Sequence, residues 1–339
     1  MEAASVAGGD RSVLERSPLA RLPDRLLKYS LAALTALILA LIVYFFIRLV
    51  GEAEPVFAKS GILDFAFNND WNVGANHFGA LPLVLGTLIT SVLALIIGVP
   101  VAVATAVYLT ELCPSRVKTP VTVLIELLAA VPSVVYGLWG IFFLAPKLQP
   151  LEQWLADRLS FIPFVGGGLV TIPNIFIAGL ILAIMILPIV SAISREVIAT
   201  VPPDHKEAAL GLGATRWEMI RLAVLPYCRA GITGASMLGL GRAVGETIAV
   251  TIVIGDAPQL PHQLFGQGYS LAAVIANEFG EAQGLHRSAL FAAGLALFVL
   301  TLLVNGVARL LVLRASRSRS ASPANPASAG TAIVPAPVR

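Results

Sequence analysis

Long apolar runs separated by short polar segments dominate this 339-residue chain. A helix needs about 20 apolar residues to cross a bilayer, and six of the runs approach or exceed that length. The pattern predicts spans over Leu26–Leu49, Leu81–Leu109, Thr119–Ala145, Pro173–Ser194, Pro226–Ile254 and Ser288–Leu313. The sequence therefore predicts an all-α integral membrane protein of about six transmembrane helices.

Composition and charge support this prediction and orient the chain. With 57% hydrophobic and 13% charged residues, it cannot be an ordinary soluble domain. The segments 1–28, 111–119, 195–229 and 309–339 hold 17 basic and nine acidic residues, whereas the segments on the opposite side hold five and nine. Because basic residues concentrate on the cytoplasmic side of membrane proteins, both termini are predicted to be cytoplasmic.

The segments outside the main apolar core divide the chain further. We predict a cytoplasmic N-terminal tail over 1–25, a first transmembrane helix over 26–50 and an extracytoplasmic loop over 51–80. The core then covers 81–313. Residues 314–339 are rich in Ser, Ala, Pro and Arg, so they cannot bury enough apolar surface to fold and are predicted to be a disordered cytoplasmic tail.

A polar helix–turn–helix is predicted between Asp204 and Pro226. Asp204 with Glu207, and Thr215 with Glu218, each have the spacing of a capping box, in which two side chains satisfy free amides at a helix start. Gly211 and Gly213 interrupt the chain between these two starts. A well-formed helix on a cytoplasmic loop of a membrane protein indicates a docking point for a soluble partner.

The sequence lacks the motifs that are typical of enzymatic chemistry. The sequence has no G-x-x-x-x-G-K-[ST] motif for binding nucleotide phosphates, and its four histidines are scattered without the spacing of a metal site. The motif Gly234-Ala235-Ser236 lies in a predicted span without a histidine to activate the serine. We therefore predict that the chain is not an enzyme and binds neither a cofactor nor a metal.

Arg242 and Glu246 are the exceptional residues of the fifth predicted span. They lie at positions i and i+4, and therefore on one face of the predicted helix, near the middle of the membrane. A charge at that depth costs on the order of 2.5–3.5 kcal/mol on insertion scales. Two interpretations are open: the two residues form a buried ion pair that fixes the helix, or they line the path of an anion.

The anion path has a chemical rationale. Guanidinium groups match the oxygens of phosphate and sulfate through paired N–H donors. A neighbouring carboxylate repels a fully ionised anion but accepts a hydrogen bond from a protonated one. This pattern therefore predicts that Glu246 favours phosphate over sulfate.

A second segment inside the membrane contains a helix breaker. Pro132 interrupts the third predicted span, and Ser133 and Tyr136 follow it. Broken helices at membrane depth commonly line a cavity, so both side chains are candidates for the path, although packing around the kink is the simpler explanation. Glu126, nearer the cytoplasmic end, is expected to pair with a Lys or Arg of a neighbouring loop.

Several of these segments resemble a known family. Glu207-Ala208-Ala209, Gly213 and Leu225-Pro226 are similar to the EAA loop of ABC-importer permeases, which forms the coupling helix that docks on an ATPase subunit. Together with 132–137, 239–255 and 275–281, they resemble the permease subunits of the high-affinity phosphate importer, with more similarity to the PstC-type than to the PstA-type subunit.

The resemblance implies an ABC type I importer permease fold with a coupling helix over 204–218, in a bacterial cell membrane. It implies three partners: a PstA-type permease as the second half of a heterodimer, PstB-type ATPase subunits that use the ATP, and an extracytoplasmic PstS-type phosphate-binding protein. It also implies that Asp204, Glu207, Ala208, Ala209 and Gly213 couple to the ATPase. Two alternatives remain: a permease for sulfate, molybdate or a small organic solute, and a proton-coupled secondary transporter that uses Arg242 and Glu246.

Overall fold

The computed structural model describes the backbone of residues 22–320 and the side chains of residues 26–310, in both cases without 163 and 167. Nearly all regular structure is helical. The α-helices are α1 Leu22–Ser60, α2 Ile62–Phe67, α3 Leu81–Val107, α4 Ser115–Ala130, α5 Ser133–Trp139, α6 Ala145–Arg158, α7 Ile175–Ala199, α8 Pro203–Gly211, α9 Arg216–Met219, α10 Leu225–Val244, α11 Ile248–Val253, α12 Leu271–Glu278 and α13 Gly284–Ser320. A two-residue hairpin pairs β1 Trp71–Asn72 with β2 His77–Phe78 in antiparallel register.

Three π-helical turns widen the helices at their junctions. They cover Tyr108–Leu112 after α3, Gly140–Leu144 between α5 and α6, and Ile220–Val224 between α9 and α10. Each inserts one additional residue into a helical turn and so rotates the side chains that follow. Helices α9 and α10 consequently form one continuous rod that begins at the polar segment.

The helical class is confirmed, while the spans differ in detail from the prediction. Within the described residues, five helical stretches are long and apolar enough to cross a membrane: Leu26–Ser60, Leu81–Leu112, Ser133–Arg158, Ile175–Ala199 and Gly284–Leu310. The predicted span Thr119–Ala145 is wrong because the chain breaks at Val131–Pro132. Helix α10 has 20 residues but does not meet the same criterion, since small and polar side chains replace large apolar ones along it.

The ends of the chain also differ from the prediction. Helix α1 continues through Pro55 to Ser60, so the first ten residues of the predicted loop over 51–80 are helical. Helix α13 continues to Ser320, so 314–320 are helical rather than disordered. The predicted tails over 1–21 and 321–339 lie outside the described residues. The described residues up to Glu52 form one unit, and those from Ala53 onward form another.

The core of the second unit is the packing of α3 against α7. Gly98 allows this close approach, because a Cβ there would lie only 2.9 Å from the carbonyl oxygen of Ala183. Fully buried aliphatic side chains such as Ile181 and Ile186 fill the space between α3, α5, α7, α10 and α11. Such dense packing fixes α3 and α7 relative to each other.

Two smaller clusters of buried side chains lie at the two ends of this core. One contains Ile198, Ile220 and Val224 and supports the junction of α9 with α10. The other contains Phe65, Trp71, Phe78 and Leu271, and joins the hairpin to α12 and the start of α13. Within the second unit, the chain segments over 53–80 and 255–287 are therefore packed against the bundle.

The helix–turn–helix between Asp204 and Pro226 is present, with one capping box. The hydroxyl of Thr215 accepts from the amide of Glu218, whose carboxylate accepts from the amide of Thr215 at 2.8 Å. The Thr215 hydroxyl also donates to this carboxylate at 2.8 Å, and the two bonds that the carboxylate accepts from the amide and the hydroxyl of Thr215 lower the pKa of Glu218. The box predicted for Asp204 and Glu207 is wrong: α8 begins at Pro203, which is preorganised for the first helical position, so Asp204 lies inside the first turn. An acid there still interacts favourably with the helix dipole.

Candidate functional site

The fifth predicted span contains a break beside its two charged residues. Helix α10 ends at Val244 and α11 starts at Ile248, so Glu246 lies in a non-helical segment of three residues. The expectation that Arg242 and Glu246 share one face of a continuous helix is therefore wrong. Gly245 has low helix propensity, and an oxygen of Glu246 accepts weakly from the amide of Ala249 at 3.4 Å, which competes with continuation of the helix.

The predicted break at Pro132 is also present. Helix α4 ends at Ala130 and α5 begins at Ser133, which is half-buried. The hydroxyl of Tyr136 donates to the carbonyl oxygen of Leu128 at 2.7 Å and so satisfies one of the last carbonyls of α4. Tyr136 is 8% exposed. Its hydrogen bond stabilises the kink, which agrees with the packing interpretation and leaves the path interpretation a prediction.

The two breaks lie next to each other. Helix α5 packs on α11, and Gly137 is the point of closest approach. A Cβ at Gly137 would lie 2.9 Å from Cδ1 of Ile252 and 3.2 Å from Cα of Ala249. Two interrupted helices thus meet immediately beyond their interruptions, an arrangement that transporters use to form substrate sites inside the membrane.

Arg242 lies at this junction and has no hydrogen bond or ion pair with the residues that the structure describes. Its side chain is exposed rather than packed, and its charge is close enough to act electrostatically on the hydroxyl of Tyr136. Glu246 is half-buried and does not pair with it. The alternative of a buried ion pair between them therefore finds no support in this geometry, and the guanidinium is available to a ligand.

The residues predicted to couple to an ATPase lie mainly on an open surface. Asp204, Glu207, Ala208 and Gly213 are exposed, whereas Ala209 is half-buried and packs against the cluster around Ile220. Gly213 ends α8 at φ +86°. Its amide donates to Leu210, and the amide of Ala214 donates to Ala209, which together form a Schellman motif.

Two ion pairs near α8 join elements that are distant in the sequence. Lys206 of α8 contacts Glu111, at the end of α3, with 2.6 Å between Nζ and Oε1. Arg195 of α7 bonds to Glu126 at 3.0 Å and to the hydroxyl of Thr122 at 2.7 Å. Glu126 thus has a basic partner as expected, although from a helix rather than a loop. The pair of Lys206 with Glu111 was not predicted. The position of Glu111, an acid at the end of an apolar run, was the only sequence feature that pointed to it.

Glu278 organises a second polar cluster at the opposite end of the bundle. Its carboxylate accepts from Trp71 at 3.1 Å and from Tyr269 at 3.3 Å, and lies 2.8 Å from Nε2 of His286. Burial raises the pKa of nearby Asp256, and the Glu278 carboxylate raises it further, whereas a hydrogen bond from Asn277 lowers it. No local pattern predicts this cluster, because Trp71 is 207 positions away from Glu278.

Comparison with known proteins identifies the class to which this arrangement belongs. Residues 98–317 match the family model described as the binding-protein-dependent transport system inner membrane component. The chain belongs to this family. It is a multi-pass protein of the inner membrane, as expected from its apolar helices.

Curated relatives carry a more specific name. The chain is 49% identical over 255 residues to a protein of Pasteurella multocida, covering 74% of this chain and 79% of that protein. It is 42% identical over 301 residues to a protein of Haemophilus influenzae, covering 87% of this chain and 95% of that protein. Each of these two relatives is named phosphate transport system permease protein PstC.

Solved structures show the same fold. A crystal structure of a bacterial ABC transporter involved in the import of the acidic polysaccharide alginate matches with a TM-score of 0.54 and 22% identity, covering 86% of this chain and 99% of that chain. The bacterial alginate ABC transporter in complex with a pentasaccharide-bound periplasmic protein matches with a TM-score of 0.56 and 20% identity, covering 87% and 98%. The predicted fold of an ABC importer permease is thereby confirmed.

Proposed function

We propose that this chain is the pore-forming permease subunit of an ATP-driven, binding-protein-dependent importer of inorganic phosphate. The observation that carries the proposal is the unpaired Arg242 at the junction of two broken helices. The names of the relatives from Pasteurella and Haemophilus support phosphate as the substrate.

The chemistry of the site agrees with this substrate. Since none of the described residues neutralises it, Arg242 offers planar N–H donors to the oxygens of a phosphate. Glu246 follows four residues later, on the non-helical segment, with its carboxylate only weakly bonded at 3.4 Å. There it accepts a hydrogen bond from the P–OH group of a protonated phosphate, which sulfate does not have at neutral pH. Ser133 and Tyr136, on the neighbouring kink, line the same path.

The partners follow from the open surfaces and the family. The exposed face of α8 with Asp204, Glu207 and Ala208 is the docking surface for a PstB-type ATPase, which binds and hydrolyses the ATP on a separate chain. A PstA-type permease completes the pore. Gly234 and Gly241 of α10, which would each accept a Cβ without a close contact in this chain, suit the approach of a second helix. A PstS-type binding protein delivers phosphate from the opposite side.

Transport by the reconstituted complex tests the proposal. The chain is co-expressed with a second permease and a tagged ATPase, incorporated into proteoliposomes and supplied with the phosphate-binding protein. ATP-dependent uptake of labelled phosphate is expected, with little inhibition by excess sulfate or molybdate. Uptake of either competitor in preference to phosphate would support the oxyanion alternative. Uptake driven by a proton gradient without the ATPase would support secondary transport, which the family membership makes unnecessary.

Glu246→Gln is expected to weaken the preference for phosphate over sulfate. The amide keeps the size of the side chain but removes the charge that repels a fully ionised anion, so sulfate uptake relative to phosphate should rise about tenfold. The measurement is the ratio of initial uptake rates at pH 7. Glu126→Gln, which removes an acid paired with Arg195, is the control and should leave the ratio unchanged. An unchanged ratio in Glu246→Gln would exclude the carboxylate from selection.

A further inference from the structure

Helix α8 is held to the rest of the chain by few side chains. None of its nine residues is fully buried, and only Lys206 and Ala209 are even half-buried. In the described part of the chain, the contact of Lys206 with Glu111 is its only side-chain ion pair or hydrogen bond to another element. His205 adds a loose ring contact with Tyr227, with centroids 5.6 Å apart.

The contact between Lys206 and Glu111 differs from ordinary surface ion pairs. The side chain of Glu111 is 7% exposed and that of Lys206 is 23% exposed, with 2.6 Å between the charged atoms. In the pair of Arg48 with Glu52, by contrast, the side chains are 61% and 45% exposed. Exposed pairs contribute little because water and salt screen them, whereas removing one partner of a shielded pair leaves a charge without compensation.

Glu111 is itself firmly positioned. It lies in the π-helical turn Tyr108–Leu112, which continues α3 by one widened turn and ends at Cys113, whose amide donates to Tyr108 at 2.8 Å. Its neighbour Leu109 is 2% exposed. Helix α3 in turn packs along α7 and against α10, the helix that carries Arg242. A displacement of Lys206 therefore acts on a helix that belongs to the rigid core.

We propose that Lys206 and Glu111 are positioning residues that transmit movement of α8 to α3, and through α3 to the helices around Arg242. This inference rests on the proposed function, in which an ATPase moves α8. The pair provides attraction between a fixed acid and a mobile base, so α3 follows when α8 is pulled as well as when it is pushed. The packing of Ala209 against the cluster around Ile220, by contrast, resists a push of α8 toward the bundle but not a pull away from it.

Separate measurements of ATP hydrolysis and phosphate uptake test this link. In the complete complex in proteoliposomes, Lys206→Met and Glu111→Gln are each expected to lower phosphate uptake about tenfold while ATP hydrolysis changes about twofold or less. The number of ATP molecules hydrolysed per phosphate then rises about fivefold or more. The double variant Lys206→Glu with Glu111→Lys, which restores attraction in reverse order, is expected to recover uptake to within about threefold of the unmodified complex.

The controls separate this link from assembly and from the proposed function. Arg48→Met breaks an exposed pair within α1 and should leave both rates within about twofold. If the unmodified complex hydrolyses ATP but takes up no phosphate, the proposed function is wrong. If the unmodified complex is active and the single variants lose uptake and hydrolysis in proportion, or lose neither, or are not rescued by the exchange of charges, the link is wrong.

Discussion

Replacing Arg242 by glutamine should lower phosphate uptake by about 100-fold, because the substrate then enters a low-dielectric path without a compensating charge. Arg242→Lys keeps the charge but loses the planar fork of donors, so an intermediate loss of about tenfold is expected. Uptake of labelled phosphate by the reconstituted complex measures both effects. The variant chains should still co-purify with the tagged ATPase, since Arg242 lies outside the exposed face of α8.

Arg48→Gln provides the matched control for this series. It removes one positive charge from an exposed pair with Glu52 and should leave uptake unchanged within about twofold. Uptake that survives in Arg242→Gln would mean that the anion does not pass this residue, and the substrate path would have to be sought elsewhere. Uptake that is lowest with glutamine, intermediate with lysine and highest with arginine at position 242 would indicate that both the charge and the geometry of the side chain recognise the anion.

Gly213→Val should largely prevent docking of the ATPase. Gly213 adopts φ +86° at the end of α8, and the left-handed region costs an L residue about 1–2 kcal/mol, more when the side chain is β-branched. Relief of this strain disrupts the Schellman motif and redirects the exposed face that begins at Asp204. We expect recovery of the tagged ATPase to fall about tenfold, since about 1.4 kcal/mol corresponds to that factor.

Gly211→Ala is the control for this substitution. Gly211 is the last residue of α8, has a helical backbone, and would meet nothing within 4 Å of an added Cβ. Alanine there should leave docking intact and slightly favour the helix. Equal recovery of the ATPase with Gly213→Val and Gly211→Ala would show that the conformation of the turn is unimportant for docking.

Local patterns in the sequence were sufficient to predict several features. The helix–turn–helix with its box at Thr215 and its turn at Gly213 depends on residues within a few positions of one another, so its signals are all adjacent. The kink at Pro132 has an equally local cause, the missing amide of proline. The long apolar runs likewise predict membrane helices, because each run alone decides whether a segment enters lipid.

Features that depend on breaks or on distant partners could not be predicted in this way. Apolar composition continues on both sides of Gly245, so the hydropathy pattern does not show a break of three residues. For this reason the prediction that Arg242 and Glu246 share one helix face was wrong. Lys206 and Glu111 are 95 positions apart, and only the tertiary fold brings them together. The predicted cap at Asp204 is wrong because the helix starts at Pro203, so that Pro202 rather than Asp204 is the N-cap residue.

The break between α10 and α11 also determines how this region deforms. A continuous helix resists bending because its hydrogen bonds must lengthen on one side. Here the amides of Gly245 and Glu246 already reach their carbonyl acceptors over 3.3 and 3.4 Å. Helix α11 packs on α5 at Gly137. Tilting α10 against α11 therefore weakens only backbone hydrogen bonds that are already long. We therefore expect the segment 245–247 to bend, directly beside the guanidinium of Arg242, which has no partner among the described residues.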